Sequence, residues 1–166
     1  MRRKKDGRGS APQISPRTAY RALCVVSLLL LLAALSMQAH PQSLIVLSSN
    51  GPYNWIPFSF SFFSLTPPFG GADFLPILTG LLTIAAAVLC AVRLLKSART
   101  LQAPVAALVC AAVAAAASIG RMLEYGGEYI APLHYAISGC LALTTVLLAI
   151  ACSRAKHGRE AGIKAK

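Results

Sequence analysis

Four long apolar runs, at about residues 20–39, 74–95, 103–122 and 129–152, alternate with shorter polar or aromatic stretches along this chain. A helix rises about 1.5 Å per residue, so about 20 residues match the ~30 Å hydrocarbon core of a bilayer. The first run holds Leu28 to Leu32 and carries no polar stripe. A water-soluble surface helix would keep one polar face. The pattern therefore predicts an all-α fold, a polytopic bundle of four transmembrane helices, with a long aromatic-rich extracytoplasmic loop at 40–73 and basic tails at 1–19 and 153–166. The first tail mixes Lys and Arg with Gly, Ser and Pro and shows no apolar periodicity, which reads as a disordered cytoplasmic segment.

The first run also resembles a signal peptide, since a basic leader precedes it and Ala34 and Ser36 form a small-residue cleavage pair. The leader is long for that role and the apolar stretch continues through Leu35 and Met37, so an uncleaved anchor is the expectation. Small residues recur every fourth position in the second run (Thr79, Thr83, Ala87, Ala91) and the third (Ala103, Ala107, Ala111, Ala115). Side chains that small let backbones approach closely, so these two runs are expected to form a tight antiparallel hairpin. In the fourth run His134, Ser138, Ala142 and Thr145 lie along roughly one face, the most polar in the chain.

The loop at 40–73 departs from the rest in composition. Eleven of the twelve aromatic residues fall in it, at Phe74 directly after it, or near the 122–135 connection, leaving only Tyr20 at the other side. Aromatic rings favour the membrane interface, which makes this loop an interfacial or partner-binding element. Phe58, Phe60 and Phe62 alternate with Ser59 and Ser61, a period of two that would align rings on one face of an extended segment. Such a segment must lie at the interface, pack on the helices or pair with another strand, because its backbone groups cannot enter hydrocarbon unpaired. Trp55, Phe58, Phe60 and Phe62 are the candidate interaction surface. Asp73 is placed to cap the second helix ahead of Pro76.

The formal net charge of +11 would point to an acidic or nucleic-acid partner in a soluble protein. Its placement gives another reading. Seven Lys and Arg precede residue 22, three follow the second run at Arg93, Lys96 and Arg99, and five lie from Arg154 onward. With the N-terminus inside and four crossings, all but Arg121 fall on the cytoplasmic side, as the positive-inside rule requires. Nucleic acid is thus not expected as a partner. The bilayer is, with a membrane-protein partner or a second copy of the chain. The Ala-rich runs and basic tails suit the cytoplasmic membrane of a bacterium.

Candidate chemistry gathers at the outer side in Asp73, Arg121, Glu124, Glu128 and His134. A histidine beside carboxylates can carry protons or bind a metal. Glu128 and His134 lack the spacing of a helical metal pair, and no metalloprotease, P-loop or nucleophile-elbow motif occurs. The five cysteines all fall in or at the ends of the apolar runs with no CxxC, which fits packing rather than thiol chemistry. No catalytic residue, metal or cofactor is therefore expected. Two functions remain: a non-enzymatic accessory or assembly protein working through helix packing and the aromatic loop, or a small transporter or channel with a polar site at its outer mouth. No run carries a charge at mid-depth, where transporters place their coupling sites, which favours the first.

Overall fold

The computed structural model describes the backbone of residues 16–49, 55–64, 74–95, 102–124 and 131–164. Four helices, α1 (Pro16–Ala39), α2 (Leu75–Leu95), α3 (Gln102–Glu124) and α4 (Pro132–Lys164), are joined between α1 and α2 by two strands, β1 (Leu44–Ser49) and β2 (Trp55–Phe60). Each helix has a proline within its first three residues: Pro16, Pro76, Pro104 and Pro132. A first-turn proline forfeits no helical hydrogen bond and arrives with φ already helical. The first bond of α2 runs from Leu78 N to Phe74 O, 2.9 Å. Phe74 thus holds the capping position expected of Asp73, which lies outside the described residues.

All four helices are long and apolar enough to cross a membrane and they pack together, which points to a multi-pass membrane protein. Each touches its two neighbours in a ring: α1 against α2 and α4, and α3 against α2 and α4. Side-chain bonds between the connected ends of α1 and α2, and of α3 and α4, show each of these two pairs to be antiparallel. Gln38 of α1 reaches Thr83 of α2, and His134 of α4 reaches Ser118 of α3.

The buried positions repeat at alternating intervals of three and four in every helix. The row is 24, 27, 31, 34, 38 in α1; 76, 79, 83, 86, 90 in α2; 104, 107, 111, 114, 118, 121 in α3; and 134, 137, 141, 144, 148, 151 in α4, with 80, 87, 115 and 138 buried beside it. A mean repeat of 3.5 keeps one seam facing its partners along a left-handed bundle, whereas a strict step of four drifts off that seam. The every-fourth-residue stripes follow this seam over most of their length, and Ala107, Ala111 and Ala115 of α3 are all buried. Thr79, Thr83 and Ala87 are buried but Ala91 is only partly so, and the buried row of α4 leaves Ala142 and Thr145 at its margin. The α2–α3 pair is the most extensively packed, as the small residues imply.

The seams hold small and weakly polar groups, among them Ser27, Thr83, Ser118 and Thr144, while Leu29, Leu81, Val109 and Val146 point outward. This distribution is the reverse of a water-soluble bundle. It suits a hydrocarbon surround, where outward apolar surface costs nothing.

Two departures concern segments read as irregular. Residues 16–19 are helical, and α4 continues through 153–164, where a tail was expected. That stretch is rich in Ala, Lys and Arg and free of proline, so a helix already nucleated propagates through it. The third departure is the hairpin, an addition to the all-α expectation. β1 and β2 pair antiparallel with Leu44 opposite Phe60, Val46 opposite Phe58 and Ser49 opposite Trp55. Pairing satisfies one edge of each extended segment, part of the requirement that its alternating pattern posed.

Candidate functional site

Both feet of the hairpin are tied to one carbonyl at the end of α1. The oxygen of Gln38 accepts from Phe62 N at 3.0 Å, just after β2, and from Ser43 Oγ at 3.1 Å, just before β1. That carbonyl belongs to the last helical turn, where no amide of the same helix is left to satisfy it. The same residue's side chain donates from Nε2 to Thr83 Oγ1 at 3.2 Å. Gln38 therefore joins α1, α2 and the hairpin at one point.

From there the turn at 61–64 enters the bundle. Phe62 is 1% exposed and belongs to the core cluster with Leu31, Leu44 and Ile137. Its ring meets the His134 imidazole with centroids 5.3 Å apart and planes at 56°, a tilted aromatic contact. Phe63 lies over Gly80, where an added Cβ would stand 2.5 Å from its ring. The absence of a side chain at Gly80 makes room for that ring.

Beneath Phe62 lies a closed polar network between α3 and α4. His134 Nε2 stands 3.0 Å from Ser118 O and 3.2 Å from Ser118 Oγ, and Ser118 Oγ stands 2.7 Å from Ser138 Oγ. A carbonyl only accepts, so Nε2 carries the proton of the neutral ring and donates to it. The Ser118 hydroxyl is left to bond with Ser138. All three side chains are buried, and Arg121, one turn along α3 and 5% exposed, lies within electrostatic range of the imidazole.

Of the expected polar cluster, the structure thus brings His134 and Arg121 into one seam. Asp73 and Glu128, and the side chain of Glu124, lie outside the described residues. Among the described residues no group of three or more His, Cys, Asp or Glu is placed to hold a metal ion. The aromatic stripe divides. Phe58 is 44% exposed and Phe60 partly buried on β2, whereas Phe62 follows the strand and turns into the core. Trp55 occupies the strand position next to the 50–54 connection, and its side chain lies outside the described residues.

Sequence reasoning missed Gln38 and Ser118. Each had a signal: Gln38 is an amide at the end of a Leu-rich run, and Ser118 is the one hydroxyl in the alanine-rich third run. Polar side chains in such positions find partners across helices, because hydrocarbon offers none.

At the opposite end, Arg93 Nε donates to Tyr20 Oη at 3.1 Å, with the guanidinium carbon 5.5 Å from the centre of the Tyr20 ring. Cys24 and Cys90 are buried one turn deeper in α1 and α2, and both are free thiols. No protein-family model matches this chain, and comparison with curated proteins and with solved structures gives no match.

Proposed function

We propose that this chain is a non-enzymatic membrane protein, an accessory subunit or assembly factor whose hairpin end receives a membrane-protein partner or a second copy. One observation supports this reading above the others: the buried hydroxyls and imidazole of that end bond to each other, while three of its aromatic side chains face outward. Ser118, His134, Ser138, Gln38 and Thr83 are engaged within the bundle. Phe58, Phe63 and Phe74 remain exposed, Phe74 at 65%. Exposed aromatics beside a rigid, closed scaffold make a contact surface rather than a reaction site.

The chain is read as embedded in a cell membrane with both termini cytoplasmic and the hairpin outside. The basic residues flanking α1, ending α2 and ending α4 support that orientation through the positive-inside rule. Burial of Leu31 and Ala34 in the bundle core argues for α1 as a retained span rather than a removed leader. The composition suits a bacterial cytoplasmic membrane.

The test is native mass spectrometry of the tagged full chain, purified in mild detergent from its own host. A stoichiometric second species is expected, either another copy or another protein. Phe58→Ser combined with Phe74→Ser should remove it at an unchanged thermal midpoint, since both side chains are exposed. A lone full-length chain in the unaltered protein would sink the reading.

A second reading, a small transporter or channel, draws on the burial of His134 and Arg121 in one seam. It requires that reconstituted protein move an ion and that His134→Ala abolish the flux at unchanged expression. Equal flux in the variant would remove it.

A further inference from the structure

A two-stranded sheet has two outer edges, and in this hairpin they differ. β1 reads Leu-Ile-Val-Leu-Ser-Ser, with no charge and no proline. Edge strands ordinarily carry lysine, proline or a bulge, which discourage a further strand from pairing. β2 has such a guard in Pro57, opposite Leu47. Proline in a sheet turns its ring to the open side of an edge strand, so the outer edge of β2 lacks a central donor. β1 has no guard, and its ladder with β2 runs from Leu44–Phe60 to Ser49–Trp55 without a bulge.

Among the described residues nothing occupies the outer edge of β1. The sheet has two strands, and no backbone bond outside the hairpin ladder involves residues 44–49. Every second residue of a paired strand directs its N–H and C=O away from its partner, so this edge presents a row of donors and acceptors.

Charge indicates the occupant. Residues 41–72 contain no Asp, Glu, Lys or Arg. A two-fold contact sets groups of one copy against the same groups of the other, so a charged edge would repel itself and an uncharged one does not. Copies inserted in one membrane with the same orientation also bring their hairpins to the same height. With β2 guarded, each copy offers one competent edge, and pairing closes at two copies instead of running on as a fibre.

We propose that β1 pairs antiparallel with β1 of a second copy of this chain, forming a four-stranded sheet in the order β2-β1-β1-β2 with Pro57 on both outer strands. A two-fold normal to a sheet keeps each side chain on its own face, so the axis passes through a residue pair of one kind. Leu44 is buried in the bundle core at the foot of the hairpin, which leaves 45–49 for the contact and places Leu47 opposite Leu47. The proposal rests on the reading of the hairpin end as a partner surface and names its partner.

The experiment uses the full chain in mild detergent, carrying two tags of different mass and read by native mass spectrometry. The unaltered protein should give a dimer, the mixed-tag form included. Leu47→Lys and Leu47→Glu should each lower the dimer fraction about tenfold, and mixing the two variants should restore it as the hetero pair. Ser59→Lys, at an exposed position of β2, should change it by less than about twofold. Hydrogen exchange of the unaltered protein needs no variant: amides in 44–49 should exchange about tenfold more slowly in the dimer than after dilution to monomer, and those in 55–60 should change by less than about twofold. A stoichiometric partner other than this chain would overturn the second copy while leaving the accessory-protein reading in place. A lone chain would overturn both. A dimer in which neither Leu47 variant weakens association, mixing gives no rescue, or exchange in 44–49 is not slowed would overturn β1 as the contact.

Discussion

Phe62→Ala is expected to cost about 3 kcal/mol of stability and to loosen the hairpin from the bundle, the largest effect of any single truncation at this end. The ring is almost wholly buried, touches His134, and packs in the cluster that holds Leu31, Leu44 and Ile137. Its removal leaves a void lined on one side by apolar groups and on the other by the Ser118–His134–Ser138 network. The value is set at the lower end of the range for phenylalanine truncations because detergent or lipid can re-cover part of the exposed wall. The backbone bond from residue 62 to Gln38 O survives the change, so the hairpin is weakened rather than cut loose. Two readings check it: the unfolding midpoint in mild detergent and the emission of Trp55, the single tryptophan of the chain, which lies on β2. An unchanged midpoint with unchanged emission would show that Phe62 does not hold the hairpin end together.

Ala111→Leu is expected to cost about 2 kcal/mol by forcing α2 and α3 apart, whereas Ala116→Leu should stay within about 0.5 kcal/mol. Ala111 is fully buried on the seam of α3, the helix that packs most extensively on α2, where Ala86, Ala87 and Cys90 are buried in the same core cluster. A close approach built on methyl groups has no room for three further carbons. Ala116 lies on the outward face, where a leucine meets only the surround. Thermal midpoints of the two variants decide the matter, and equal shifts would mean that α3 does not present the assigned seam.

The same pair of variants marks where sequence legibility stops. Residues 114 to 117 are four consecutive alanines, yet 114 and 115 are buried, 116 is exposed and 117 lies between. No periodic signal exists within a run of identical side chains, so the seam had to be located from the packing. Where residue types differ, more was readable. The alternation of Phe with Ser through residues 58–61 contained the strand, but not its partner, because strand pairing is a long-range choice between segments of similar character.

The hairpin end shows the same limit. His134 and Arg121 stood out as polar residues beside an apolar run, and the structure places both in the α3–α4 seam. Ser118 and Gln38 did not, since one hydroxyl or amide in an apolar run carries no address until the partner helix is fixed. Phe62 was grouped with Phe58 and Phe60 by its period of two. It leaves them because β2 ends at Phe60 and the following turn is drawn inward by the bond to Gln38 O.

The sequence by itself determined the number and approximate extent of the helices, because a run of about 20 apolar residues has one economical conformation in hydrocarbon and proline marks its start. It also determined the charge asymmetry between the two ends, a matter of order along the chain. Tertiary structure alone decided which face of each helix is inside, through the 3.5-residue seam that four mutually packed helices impose. It alone decided that a hairpin caps the bundle through Phe62, and that Tyr20 holds Arg93 at the other end. Those contacts join residues far apart in the chain, and their energy exists only once the helices have brought them together.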